Sequence, residues 1–449
     1  MGRNKGRYAL LDSRFNLGHN RYSLFKISVG NKYMWKKALI IGFGKSGKGA
    51  LKFLKTKNIK TVVVDKNETL FEKIDDVTFY KETDNIDLTN VDIAILSPGV
   101  PFASPIVKQV LDKKIKIIGE IELGLKFSSN ITIGITGSNG KTTTTLLVEF
   151  ILNACGKSAK ALGNVGKSFS EALINVKKED ILVLELSSYQ LETLQSKSLD
   201  FATILNITPD HMDRYDSFLS YAKAKCKIFN CLKKNGKLFV NNNVYNQWFS
   251  KEKQIVNFDD IVKQYPRLNH NAKIAKEDLI AAFAICNSLG ISENDFFLNC
   301  EKFNLPPHRL EFVAEVNKIC FYNDSKATNV EAVLNALEKV EPPVILIAGG
   351  LDKHLSFEKL NEACMGKVKC VFAIGQCANK IKNEIVTVPV KIVATLEEAV
   401  RMAYKEAKIK DNILLAPACA SFDMFKNYEH RGDEFKRCVQ TIATEERAK

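Results

Sequence analysis

No apolar run in this chain reaches the roughly 18 residues that a membrane-spanning helix needs, so that class is not expected. Low-complexity tracts are missing too, which removes collagen-like and disordered classes. There is no C-x-x-C pair: the 11 cysteines are an odd number of scattered thiols between Cys155 and Cys438. That pattern argues against a disulfide framework or a zinc ribbon and fits a reducing compartment. What is left, 449 residues at 45% hydrophobic and 26% charged, reads as an enzyme-sized globular chain of two or three domains.

Charge is unbalanced, with 65 Lys and Arg against 51 Asp and Glu, a net +14. Such an excess suits nucleic acid, a membrane surface, or small substrates rich in phosphate and carboxylate. Part of it sits in residues 1–33, where Arg3, Lys5, Arg7, Arg14, Arg21, Lys26 and Lys32 face the single acid Asp12. This leader lacks the apolar core of a secretory signal; a transit peptide is one reading, and the preferred one is a basic extension ahead of a physiological start at Met34. No nucleic-acid module is recognisable, so a basic nucleic-acid-binding ATPase, which predicts salt-sensitive affinity, is the weaker alternative.

From Lys36 onward, short β-branched runs alternate with amphipathic stretches, the rhythm of parallel sheets covered by helices. Strands are expected at 38–41, 61–64 and 91–96, then at 131–136, 181–186, 201–207 and 237–241, and finally at 319–323, 344–348, 370–374 and 413–416. Polar Lys126 to Asn130 and the Pro306-Pro307 pair are natural breaks between domains.

Chemistry-bearing residues cluster where these strands end. Gly42-Phe43-Gly44-Lys45-Ser46-Gly47 has G-x-G-x-x-G spacing, Asp65 closes the next strand, and Ser97-Pro98-Gly99 follows the third. A nucleotide pocket and a plain tight turn both fit. Gly137-Ser138-Asn139-Gly140-Lys141-Thr142-Thr143 is more specific: after a strand and before a helix, its amides can cradle phosphates. Lys141 would reach the β and γ oxygens and a Thr hydroxyl would bind magnesium. Ile135 stands where the usual phosphate loop has its first Gly, so this is a shortened variant. Glu185 ends an apolar strand and could complete a magnesium site, and Asp210 and His211 lie just past the next one.

A helical stretch from Tyr221 to Phe229 carries Lys223, Lys225 and Lys227, which helical geometry keeps off a single face. Lys223 and Lys227 read as solvated, while periodicity leaves Lys225 unplaced. Further on, Arg309, Lys326 and Lys353 sit in polar clusters at strand ends that suit carboxylate or phosphate.

Together these residues resemble the Mur ligases, ATP-dependent amide-forming enzymes of peptidoglycan precursor synthesis, over about Lys36 to Phe435. The resemblance rests on GSNGKTT (Gly137 to Thr143), ELSSYQLE (Glu185 to Glu192), NITPDHMDRY (Asn206 to Tyr215), NDSKATN (Asn323 to Asn329) and APACASFDMFKNYEHRG (Ala416 to Gly432). The last two point to the branch that adds D-glutamate to UDP-N-acetylmuramoyl-L-alanine. A sister ligase with another amino acid, or a folylpolyglutamate synthetase-like enzyme, is the alternative. The resemblance implies an α/β chain of three domains: a Rossmann-like UDP-substrate domain (34–126), a central P-loop-type ATPase domain with a mostly parallel sheet (127–305), and a Rossmann-like amino-acid domain (306–449).

It further implies an acyl-phosphate mechanism with ATP and two magnesium ions, in a cytoplasmic monomer that binds neither nucleic acid nor membrane. Lys141, Glu185, His211 and Lys225 would be catalytic, with Thr142, Glu185, His211 and a carbamylated Lys225 at the metals. Gly137 to Thr143, Arg309 and Asp324 would hold ATP. Gly44, Lys45, Ser46, Asp65, Ser97, Gly99, Asn164 and Gln190 would hold the UDP substrate, and Lys326, Thr328, Lys353, Ser421 and Tyr428 would hold D-glutamate. Two departures bear on this. Where the family has His-Asn-x-x-Asn near the adenine, His270-Asn271 is followed by Ile274, and Asp278 stands in place of the second Asn. Asn67 replaces an Arg that some members carry near the uridine nucleotide, so Lys66 replaces that contact or it is lost.

Overall fold

A computed structural model describes residues 35–71, 73–249, 252–269 and 274–448. The basic leader and the His270-Asn271 pair lie outside them. Strands buried on both faces need continuous apolar runs, and those runs form the interiors of three sheets. The first holds β1 (Lys37–Ile41), β2 (Lys60–Asp65), β3 (Val77–Lys81), β4 (Ile93–Leu96) and β5 (Lys116–Gly119), all parallel, in the order β3-β2-β1-β4-β5.

The second holds β6 (Thr132–Thr136), β7 (Ala159–Gly163), β8 (Ile181–Glu185), β9 (Leu199–Ile204), β10 (Leu232–Val240) and β11 (Ile255–Asn257), again all parallel, in the order β11-β10-β9-β6-β8-β7. The third holds β12 (Glu311–Val316), β13 (Ile319–Asn323), β14 (Val344–Gly349), β15 (Val368–Ile374), β16 (Val390–Ile392) and β17 (Asn412–Leu415), in the order β12-β13-β17-β14-β15-β16.

The third sheet is mixed, which the strand rhythm did not indicate: β12 runs antiparallel to β13. Asn317 and Lys318, with φ of 50° and 63°, make the two-residue turn between them, a conformation that matches the twist of a hairpin. An Asn-Lys pair carries little of the signal that Asn-Gly would.

In each sheet an interior strand has neighbours reached by chain excursions in opposite directions, and the crevice past its carboxyl end is where ligands bind in such folds. β1 lies between β2 and β4, β6 between β9 and β8, and β17 between β13 and β14. The loops after these strands are the motif-bearing ones. Behind the second sheet, helix Lys141–Ala154 buries Leu147, Val148, Ile151 and Leu152 against helix Lys276–Ser288, whose Leu279 to Cys286 run is wholly buried. This apolar backing holds the phosphate-loop helix rigid from its second turn on. Among the described residues, no helix is long and apolar enough to cross a membrane.

Candidate functional site

β6 ends at Thr136 and the chain turns through Gly137–Gly140 into helix Lys141–Ala154. Gly140 has φ 84°, and a Cβ there would lie 2.0 Å from Asp278 Oδ1, so only glycine fits this turn. The Lys141 ammonium folds back to donate to the carbonyls of Gly137 and Ser138, both at 2.8 Å. Burial lowers its pKa, with Glu185 and Asp210 pulling the other way.

Lys225 reaches the same carbonyl, its Nζ 2.8 Å from Gly137 O. Helix Phe218–Cys226, capped by Ser217, turns Lys225 inward to 2% exposure over the Tyr221 ring. Burial and, next, the nearby Lys141 charge push its pKa far below the ordinary lysine value. Lys223 is exposed as expected, but Lys227 is not solvated: it is half-buried and donates to Glu192 O at 2.6 Å, because the chain tightens into a 3-10 turn after Cys226.

Glu185, at 2% exposure, pairs in register with Ile135 beside the phosphate loop. Its Oε1 accepts from Asn164 Nδ2 at 2.7 Å, while its buried Oε2 has no partner. An orphaned buried carboxylate oxygen is unfavourable unless something positive meets it, so this donor fits magnesium. Among the described residues no three His, Cys, Asp or Glu converge on one point.

His211 adopts φ 58° and packs edge-on against Tyr189. Its pKa falls to about 4, from burial first and the cations Lys353, Lys141 and Lys225 next, against the pull of Asp210. The imidazole is therefore neutral at neutral pH and keeps a lone pair for a metal.

Asp210, which the sequence placed just past a strand without a role, is central to the charge network of the site. It accepts from Lys353 Nζ at 2.9 Å, and Asn329 Nδ2 reaches its other oxygen at 3.3 Å and Asn139 Oδ1 at 3.0 Å. Although burial pushes it up, the Lys353 and His211 charges bring its pKa to about 2. The third sheet's loops are thus fastened to the loop after β9 by a buried ion pair and to the phosphate loop by an amide pair. Asp210 and Asn329 both lie inside quoted motifs, but Asp210 and Lys353 are 143 positions apart, beyond any spacing rule.

Burial lifts Asp278 and Asp324 to about 6 each, with Arg309 the main opposing charge on Asp278 and a lesser one on Asp324, whose Oδ1 accepts from Leu310 N at 3.1 Å. Lys326 Nζ sits 3.7 Å over the Tyr428 ring, and Thr328 Oγ1 is 3.5 Å from Lys353 Nζ. Burial, then Arg309, lowers Lys326 to about 8. Ser421 is buried in the turn after β17. Lys326, Thr328, Lys353, Ser421 and Tyr428 therefore come from three loops and a helix start on one sheet edge.

At the first sheet, a Cβ on Gly47 would lie 2.1 Å from Gly42 O, which explains the third glycine of that motif by close helix packing. Both Asp65 oxygens accept backbone N–H groups, from Phe43 at 2.5 Å and Asn67 at 2.7 Å. Asp65 thus braces the turn after β1. Ser97 Oγ donates to Gly42 O at 2.7 Å, while Gly44, Lys45 and Gly99 are exposed and Ser46 is half-buried at the rim. Gln190 accepts from Ser187 N at 2.9 Å in a capping box. Arg214, also unforeseen, donates to Pro98 O at 2.7 Å while stacking on Tyr189 at 4.0 Å, which ties the first sheet's rim to the second.

Comparison with known proteins matches this chain to three family models: "Mur ligase MurD-like, N-terminal domain" over 36–119, "Mur ligase middle domain" over 135–288, and "Mur ligase, glutamate ligase domain" over 308–419. The chain is 43% identical over 447 residues to UDP-N-acetylmuramoylalanine--D-glutamate ligase of Protochlamydia amoebophila, spanning 91% of this chain and 99% of that one. It is 38% identical over 450 residues to the protein of the same name from Caldicellulosiruptor bescii, spanning 91% and 98%. Among solved structures, UDP-N-acetylmuramate-alanine ligase of Thermotoga maritima aligns with a TM-score of 0.54 at 14% identity, over 90% of this chain and 99% of that one. A MurF ligase of Thermotoga maritima in complex with ADP aligns with a TM-score of 0.54 at 14% identity, over 91% and 97%. At these identities the structures speak for the fold alone.

Proposed function

The chain belongs to the Mur ligase family, and from that premise we propose that it joins D-glutamate to UDP-N-acetylmuramoyl-L-alanine at the expense of ATP, in peptidoglycan precursor synthesis. The observation that carries this reading is the pair of links Lys353–Asp210 and Asn329–Asn139, which bring the amino-acid loops of the third sheet onto the loop after β9 and the phosphate loop of the second. We assign 34–126 to the UDP substrate, 127–305 to ATP and 306–449 to D-glutamate, in a cytoplasmic enzyme.

Two anions must meet, a substrate carboxylate and the γ-phosphoryl group, and repulsion between them is the main barrier the protein can lower. In our reading Lys141 leaves its carbonyl acceptors for phosphate oxygens, and the loop amides bind the rest. Magnesium, when bound, neutralises phosphate charge and orients the attacking carboxylate. Thr142 and Glu185 would hold one ion, and His211 with a carbamylated Lys225 a second. Arg309 and Asp324 grip the nucleotide, and Gly44, Lys45, Ser46, Ser97 and Gly99 line the rim for the uridine diphosphate. Lys326, Thr328, Lys353, Ser421 and Tyr428 position D-glutamate so that its amine displaces phosphate. Contact between the second and third sheets keeps water from the acyl phosphate.

Phosphate release from ATP, measured with UDP-N-acetylmuramoyl-L-alanine and one amino acid at a time, should require D-glutamate. Equal turnover with L-alanine or L-lysine would reject the specificity. Lys326 adds a pH signature. It must be protonated to pair with a carboxylate, and in the free enzyme it loses its proton at about 8. D-glutamate KM should therefore stay flat below pH 8 and climb above it, by up to about tenfold per unit. Lys326→Arg, which stays charged, should flatten that climb; an identical climb in the variant would remove Lys326 from the site.

A further inference from the structure

Arg431, 1% exposed, is the largest fully buried side chain among the described residues. It lies in the first turn of helix Tyr428–Arg447, and all its hydrogen-bond partners are neutral. Nε donates to Ser325 Oγ at 3.1 Å, Nη2 to Ser325 O at 2.9 Å and Cys419 O at 3.1 Å, and Nη1 to Ala420 O at 3.4 Å. A Cβ on Gly350 would come 3.2 Å from Nη1, so the loop after β14 presses on the same guanidinium. Arg431 makes no ion pair with any described residue. Burial lowers its pKa only to about 10, opposed by Cys419 and Asp423, so it stays charged at neutral pH.

A buried cation met only by dipoles is costly, and a neutral side chain of similar size could fill the same space. What distinguishes Arg431 is what its contacts carry. Ser325 precedes Lys326, Ala420 precedes Ser421, and Gly350 opens the loop to Lys353. Ser325 Oγ also donates to Tyr428 O at 2.8 Å, which closes the ring through the start of Arg431's own helix. One planar fork therefore holds two of these loops and the helix start and abuts the third. Its positive charge, faced by the Asp423 carboxylate but paired with none, lies beneath them.

We infer that Arg431 is the positioning residue of the D-glutamate subsite: its fork sets the spacing of Lys326, Ser421 and Tyr428 and braces the loop to Lys353, and its charge favours a dicarboxylate ligand from below. The inference rests on the function proposed above. Arg431 does not touch the ligand; it acts through its neighbours and through the field it leaves in the site.

The test compares KM for D-glutamate, ATP and UDP-N-acetylmuramoyl-L-alanine in the full chain and its variants. Arg431→Met, which loses charge and fork, should raise D-glutamate KM about 50-fold, with the other two constants changing about twofold or less. Arg431→Lys keeps the charge but not the fork and should fall between, at about tenfold. A parallel rise in all three constants, or an unchanged D-glutamate KM, would overturn the inference. Should Arg431→Met fail to fold, Ser325→Ala removes only the hydroxyl that meets Nε and should shift D-glutamate KM alone, by about fivefold; an unselective shift there is equally fatal. Absence of D-glutamate-dependent turnover in the unaltered chain would instead sink the proposed function, so the two failures are distinct.

Discussion

Phosphate release by the Lys141→Met enzyme should fall by about 10³-fold or more, the scale seen when a cation that stabilises a transferring phosphoryl group is lost. Met matches the Lys stem in length, so the phosphate loop keeps its fold and the loss reports charge. The geometry explains why no neighbour can replace it. Lys141 lies against the Gly137 and Ser138 carbonyls, and Lys225, which shares the Gly137 carbonyl, has its charged form disfavoured by burial. Removing Lys141 leaves the γ-phosphoryl and the substrate carboxylate facing each other with their repulsion unscreened at the loop. Steady-state kinetics beside a thermal melt is the measurement. A variant that folds and turns over normally would mean that clustering positive charge is not how this chain works.

Lys225→Ala should lose about 10²- to 10³-fold and regain a large part of it with a short carboxylic acid such as acetate or propionate. The argument begins with proton state. Carbon dioxide adds only to an uncharged amine, forming an N–C bond and releasing a proton to solvent. Lys225 is neutral at a far lower pH than an exposed lysine, because burial and the adjacent Lys141 oppose its charge. The carbamate that results is an anion in a place the genetic code could fill with nothing of that length. Truncation opens a gap bordered by Gly137 O and the Tyr221 ring, into which a free carboxylate can carry the same charge. Incorporation of labelled bicarbonate at Lys225, read by carbon NMR, gives a second readout. Full activity of Lys225→Ala without any additive would end this role.

The limits of reading this protein from its sequence follow the sheets. Every strand expected from an apolar run is an interior strand, and the strands left unforeseen, β3, β5, β7, β11, β12 and β16, are the sheet edges. An edge strand is covered on fewer sides and needs no continuous apolar run: β11 has no buried residue, and β3 and β16 none either, whereas β1, β4, β6, β8 and β14 are buried almost throughout. The phosphate loop was legible for a similar reason. Its glycines, lysine and threonines act through local backbone geometry, and local geometry is what spacing encodes.

Partnership across the chain was not legible. Spacing places Lys353 among the D-glutamate residues but not beside Asp210, places Asp65 at the UDP substrate but not on two backbone amides, and leaves Arg431 unmarked inside its motif. The sequence by itself determined the family, the α/β architecture and the residue types at the loops. Only the tertiary structure decided which charges meet, which are buried and which carboxylate oxygen is left without a partner. The physical reason is that Coulomb and desolvation energies depend on distance and dielectric, and both come into being when residues 143 positions apart fold to within 2.9 Å.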